Sequence, residues 1–172
     1  MLSEPRIEDR QPQHYLAVRA QVTMQDLASA VELAFPEVFA YLAKQGVAPA
    51  GAPLIRDLVI DMARALDVAI GVPVAAAVDG AGRVSGGVLP AGRYATLVYT
   101  GDYSGLVDAN AALLDWGARQ GLVWDQSATD AGDAFGGRVE FYLSDPRLEP
   151  DSSKWQTEVA IRLADDRSGR AA

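Results

Sequence analysis

Two glutamates and a tyrosine carry the chemistry that stands out in this sequence. Glu140 lies in Arg138-Val139-Glu140-Phe141-Tyr142-Leu143, and Glu158 in Trp155-Gln156-Thr157-Glu158-Val159-Ala160-Ile161-Arg162-Leu163. Both segments alternate with the period of two of a β-strand. Val139, Phe141 and Leu143 share one face, opposed by Arg138, Glu140 and Tyr142. In the second segment Val159, Ile161 and Leu163 oppose Gln156, Glu158 and Ala160. The pattern predicts a hairpin turned at Ser144-Asp145-Pro146, with its apolar faces on helices and its carboxylates on the other face. If that other face lines a cavity, Glu140, Glu158 and Tyr142 converge there and suit a cation or an aromatic amine. A carboxylate under aromatic walls loses hydration and gains strongly from an incoming cation, because the effective dielectric is low. Left alone, it tends to protonate. Tyr142 stacked on a flat cation would add about 0.5–2 kcal/mol. The bland alternative is a half-exposed sheet with both glutamates in water, or Glu158 paired with Arg138.

Other chemistries find little support. There is no cysteine and one histidine, His14, so neither a disulfide framework nor a zinc site is expected. No Gly-x-Ser-x-Gly turn accompanies His14, and Gly80-Ala81-Gly82 and Gly86-Gly87 complete no dinucleotide or phosphate fingerprint. No cofactor, metal or stand-alone catalytic set is expected. The net charge is −8 and the only lysines are Lys44 and Lys154, which argues against direct nucleic-acid binding. No run of eighteen or more apolar residues and no secretory leader is visible, so the expectation is a cytoplasmic protein without a membrane span.

The elements that would hold the glutamates follow from patterning. Residues 1–12 are polar, carry Pro5 and Pro12, and read as a flexible N-terminal segment; residues 165–172 read as a flexible tail. Residues 13–164 read as one domain with pseudo-halves of about 13–90 and 91–164. Tyr15–Ala20 reads as a strand. A helix follows, with Thr23 as its N-cap, Leu27, Val31, Ala34, Val38 and Leu42 at helical spacing, and Gly46 as its C-cap. Pro36 predicts a kink or a split in that helix. Leu54–Val74 reads as two strands around a turn, and Val84–Leu89 and Arg93–Thr100 as two more. A second helix, capped by Ser104, carries Leu106, Ala109, Leu113 and Trp116 and ends at Gly121. Val123–Gly137 reads as a connector. Tyr41-Leu42-Ala43-Lys44-Gln45-Gly46-Val47 echoes Trp116-Gly117-Ala118-Arg119-Gln120-Gly121-Leu122. The echo is short, since helices commonly end in a basic residue and glycine. With the element order it predicts an α+β fold: a tandem pseudo-repeat of two β-α-β-β units, one antiparallel sheet, two main helices on one face and a ligand groove on the other.

Leu66–Val74, Leu89-Pro90-Ala91-Gly92-Arg93-Tyr94-Ala95, Tyr99-Thr100-Gly101-Asp102-Tyr103 and Val139–Pro146 with Thr157-Glu158-Val159 resemble the GyrI-like small-molecule-binding domain, also met as the effector-binding domain of AraC-type and MerR-type multidrug regulators. The resemblance runs from about Arg6 to Leu163. It implies a stand-alone effector domain that binds bulky, cationic aromatic compounds, with Glu140 as a buried countercharge and Glu158 as a second recurrent acid. Ala69 departs from relatives that carry an acid there. Ala160 departs from members with a tyrosine, which implies a thinner aromatic wall.

Ligand-contact candidates are thus Glu140, Glu158, Tyr142, Trp116, Tyr41, Phe39 and Trp155; core packing is the alternative for Trp116 and Tyr41. Three functions are carried forward: sensing or sequestration of a cationic aromatic small molecule; hydrolysis of reactive cyclopropane-containing natural products by Glu140 and Glu158; and a protein-interaction module acting on a partner such as a DNA-processing enzyme. A protein partner or a homodimer is left open.

Overall fold

Runs of alternating apolar residues separated by glycine, proline and aspartate build most of this chain into strands. The structure is a computed structural model that describes residues 1–165. Residues 166–172, most of the tail read as flexible, lie outside the described residues. The strands are β1 (Arg6–Arg10), β2 (Gln13–Val22), β3 (Leu54–Ile60), β4 (Leu66–Pro73), β5 (Val84–Leu89), β6 (Gly92–Thr100), β7 (Gln126–Thr129), β8 (Gly132–Phe135), β9 (Arg138–Tyr142) and β10 (Gln156–Arg162). The helices are α1 (Leu27–Gln45) and α2 (Leu106–Arg119). One antiparallel sheet runs in the order β1-β6-β10-β9-β3-β4-β2-β5, and β8, paired to β7, docks on β3. This is the expected α+β architecture of a large antiparallel sheet with two helices.

Two segments differ from the expectation. Arg6–Arg10, read as part of a loose lead-in, form β1 against β6, and Leu2 bridges to Tyr99. The polar composition that suggested disorder is that of an edge strand, with Arg6 and Asp9 in water and Glu8 and Arg10 half-buried. The connector Val123–Gly137 contains the β7–β8 hairpin. Its short strands lack a hydrophobic alternation that would announce them.

Helix ends are set locally. Thr23 Oγ1 accepts from the Asp26 amide at 3.2 Å and donates to the Asp26 carboxylate at 2.9 Å, just before α1 begins. α1 continues through Pro36 as one element. Pro36 is exposed, so the carbonyl it leaves without a donor is not locked in the core. Both helices stop on a left-handed glycine, Gly46 (φ 67°) and Gly121 (φ 70°). The same pair of backbone bonds closes each: Gly46 to Ala43 and Val47 to Leu42, and Gly121 to Ala118 and Leu122 to Gly117. That is the Schellman arrangement.

The register decides which residues the helices cover. Val18, Ile70, Ile55, Glu140, Val159 and Leu97 lie side by side on six successive strands. α1 lays Ala34, Val38 and Leu42 on the β2–β4 end of this face, and α2 lays Ala109 and Leu113 on the β6–β10 end. Each fully buried Val, Ile or Leu stabilises by about 1.5–3 kcal/mol. The neighbouring row, Ala17, Gly71, Leu54, Phe141, Glu158 and Val98, belongs to the helix-free face. Gly71 is required there, because a Cβ would run into the Leu16 carbonyl and Ala17.

Candidate functional site

Glu140 is the one charged residue in a six-strand row that is otherwise Val, Ile and Leu. It faces the helices, not the free side of the sheet. The expected assignment of faces was therefore inverted for β9: Val139 and Phe141 pack on the helix-free side with Leu54 and Tyr94. The sequence misled because both faces of β9 are partly apolar, and alternation alone cannot say which face meets a helix.

Glu140 is held by two donors. Asn110 of α2 gives its Nδ2 to Glu140 Oε1 at 2.9 Å, and the Tyr142 hydroxyl donates to Oε2 at 2.7 Å. Asn110 also donates to the Leu106 carbonyl (2.9 Å), and its Oδ1 accepts from Arg138 Nη2 (3.2 Å), which fixes the amide. Burial pushes the Glu140 carboxyl above its usual range, against the lowering effect of Tyr142, Asn110 and Arg138. Burial and the adjacent Glu140 push the Tyr142 phenol well above its usual range. Arg138 is pushed down by burial and lies 4.7 Å over the Phe135 ring.

Asp57 of β3 shares this floor. Burial first, then Glu140, push its carboxyl from 3.8 to about 7, with Arg138 opposing. The sequence reading missed both Asp57 and Asn110. A lone aspartate in Leu54-Ile55-Arg56-Asp57-Leu58 has no motif, and Asn110 becomes visible only through the register of α2 on β9.

Aromatic rings adjoin the carboxylates. Phe35 of α1 meets Tyr142 edge-on at 6.4 Å, and Tyr103, on the 3-10 turn before α2, meets Tyr142 edge-on at 5.6 Å. Tyr103 in turn lies 4.8 Å from Trp155. Of the candidates, Glu140 and Tyr142 are therefore brought together, and Trp155 stands at the end of the same aromatic run. Phe39 is exposed on α1, one turn beyond Phe35. Tyr41 packs into the α1 core with its hydroxyl on the Asp79 carbonyl, and Trp116 packs into the α2 core. The packing alternative describes both.

Glu158 is not brought to Glu140. It lies on the helix-free face and accepts from Arg10 Nη2 at 2.7 Å; the same nitrogen reaches Glu8 at 2.9 Å. Arg10 also lies over Tyr94 and Phe141, at 5.5 and 6.0 Å from the ring centres. Two depressions of about 270 and 250 Å3 flank this arginine. They are open hollows on the helix-free face and contain neither Glu140 nor Asp57. With the sheet between them, Glu140 and Glu158 cannot act on one bond as acid and base, and the hydrolase reading built on that pair is set aside. Ala160 and Ala69 likewise sit buried on the helix-free face, so neither thins a wall around Glu140.

Among the described residues no group of three or more His, Cys, Asp and Glu is arranged to hold a metal ion, and no helix is long and apolar enough to cross a membrane. What the fold defines, a large antiparallel sheet with two helices on one face, is a small-molecule-binding domain. The GyrI-like small molecule binding domain matches residues 3–164, and the chain belongs to that family. Among solved structures, the EcmrR C-terminal domain is similar with 16% identity and a TM-score of 0.74, over 95% of this chain and 98% of that one. EcmrR in its DNA complex gives 18% identity and a TM-score of 0.74, over 95% of this chain and 58% of that one, so this chain spans little more than half of the longer protein. SAV2435 bound to tetraphenylphosphonium gives 9% identity and a TM-score of 0.61, over 98% of each chain. At these identities the likeness establishes the fold. No curated protein matches the sequence.

Proposed function

We propose that the sheet surface over Glu140, between α1 and α2, is a ligand cleft that binds an amphipathic, cationic aromatic small molecule, with Glu140 as its countercharge, in the service of sensing or sequestration. The observation that carries this is the place of Glu140 in the row Val18-Ile70-Ile55-Glu140-Val159-Leu97. A carboxylate in an apolar floor costs several kcal/mol of lost hydration that two neutral donors do not fully restore. A cation restores it, and Tyr142, Phe35, Tyr103 and Trp155 offer ring surface to a flat or bulky apolar body. SAV2435, a fold relative, is bound to tetraphenylphosphonium, a delocalised aromatic cation; that supports the ligand class without naming this chain's own ligand.

Titration of the chain with tetraphenylphosphonium or a rhodamine-type dye tests the reading. Saturable binding is expected, weakened in Glu140→Gln on the order of tenfold or more, which corresponds to about 1.4 kcal/mol or more. Equal affinity in Glu140→Gln would sink the assignment.

A further inference from the structure

The register that sets Glu140 in an apolar row also brings Asp57 to its side. β3 and β9 pair through Ile55–Glu140 and Arg56–Val139, so the next step of the ladder puts Asp57 level with Arg138 on the helix-bearing face. At this point β3 bulges: Asp57 pairs with Val68, but Val59 with Asp67, and Leu58 is the extra residue. Beyond the bulge β3 leaves β9 and pairs with β8. A bulge bends the strand and re-aims adjacent side chains, here where two acids and one arginine meet. Arg138, the cation that acts on Asp57, spends its Nη2 hydrogen bond on Asn110, and its buried Nε has no partner among the described residues.

With both carboxylates ionised, Asp57, Glu140 and Arg138 leave one net negative charge on the floor of the cleft. With one carboxyl protonated, the floor is neutral. We propose that Asp57 is a second acid of the ligand site, and that the site takes a cation in exchange for the Asp57 proton, so the floor is neutral both empty and filled. This rests on Glu140 marking the ligand cleft. It narrows the ligand to molecules whose positive charge is permanent, or is kept well above neutral pH, and reaches the sheet itself rather than the rim.

The groups acting at Asp57 agree with the exchange. From β9 come Glu140 and Arg138; Asp133 of β8 acts on Arg138, and Asp57 in turn helps to push up the Tyr142 phenol. α2 contributes the neutral Asn110, and α1 the neutral Phe35. The Asp57 carboxyl, raised to about 7 by burial and Glu140, holds its proton up to neutrality in the empty cleft. An arriving cation lowers it again. By linkage, affinity then rises with pH by up to about tenfold per unit below that value and levels off above it.

The test is calorimetric titration with tetraphenylphosphonium, a permanent cation that carries no proton of its own, in two buffers of different ionisation enthalpy. The expected result is release of close to one proton per ligand near pH 6 and close to none near pH 8, with affinity rising about tenfold between them. Asp57→Asn should abolish both the release and the pH slope, and at pH 8 should bind more weakly than the unaltered chain. Binding that is independent of pH, with no proton released, leaves the Glu140 cleft standing and overturns the role of Asp57. Proton release that persists in Asp57→Asn also overturns it, because the proton then comes from another group. No binding at either pH overturns the cleft reading and this inference with it. The proton count on the unaltered chain needs no variant to fold.

Discussion

Glu140 and Glu158 sit on adjacent, paired strands, one residue out of step, and meet opposite fates. Glu158 points to the helix-free face, where Arg10 bridges it to Glu8 at 2.7 and 2.9 Å. Glu140 points to the helix-bearing face, where its donors are a neutral amide and a phenol, and its charged neighbours are Arg138 and a second acid, Asp57. One face neutralises its carboxylate with the protein's own cation. The other sets two acids against a single arginine beneath aromatic rings. The difference teaches that an alternating strand announces carboxylates without saying which one is spare. What marks the spare one is the packing of helices over it and the lack of a committed cation.

The sharpest way to break this comparison is to neutralise each glutamate in turn. Glu140→Gln should weaken cation binding on the order of tenfold or more, while Glu158→Gln leaves it within about twofold, read by the same fluorescence titration. Equal losses in the two variants would mean that the faces do not divide the work as described.

A second effect of similar size lies in stability. Asp57 has a folded pKa of about 7, above its ordinary 3.8, so the folded chain holds this proton more tightly than the unfolded chain. Its contribution is fully present below pH 4 and is lost as pH rises towards 7 and beyond. Asp57→Asn should therefore stabilise the ligand-free chain at pH 8 by about 1–3 kcal/mol, a figure reduced for residual solvent exposure, and by little at pH 4. Denaturant melts at the two pH values measure it. A stabilisation over the unaltered chain no larger at pH 8 than at pH 4 would show that Asp57 is not held neutral in the empty cleft.

Smaller still is the loss of one donor. Tyr142→Phe keeps the ring but removes the hydroxyl from Glu140, and should weaken binding by about threefold to tenfold, since a hydrogen bond to a charged group contributes about 1.5–3 kcal/mol and water recovers part of it. The smallest effect belongs to the helix-free face. Glu158→Gln breaks an ion pair in which both side chains remain partly exposed, so the loss of stability should be about 1 kcal/mol or less and should shrink in high salt.

Much of the frame was legible beforehand. Period-two alternation located β9 and β10, strand-forming runs between turn signals located β2, β4, β5 and β6, and Gly46 and Gly121 marked both helix ends because only glycine takes φ near 70° without strain. β1 was hidden because Arg6-Ile7-Glu8-Asp9-Arg10 carries the composition of a loose tail, and only its pairing with β6 makes it a strand. Glu140 and Tyr142 were legible as a pair on one face. The side of the sheet they occupy was not, since that depends on where α1 and α2 cross. Asp57 and Asn110 were out of reach for a related reason. Their role arises from a bulge and a helix register, long-range features that no local spacing encodes.

The position of β10 has a consequence for how the chain comes to work. It is the last described strand to be synthesised, yet it lies between β6 and β9 in the middle of the sheet. Until it inserts, β9 has one bare edge, and Val159 is missing from beside Glu140. A growing polypeptide that has emerged only as far as Leu143 therefore carries Asp57, Asn110, Arg138, Glu140 and Tyr142 and still lacks the strand that walls Glu140 on one side. That wall closes last, with a strand whose own glutamate faces the other way.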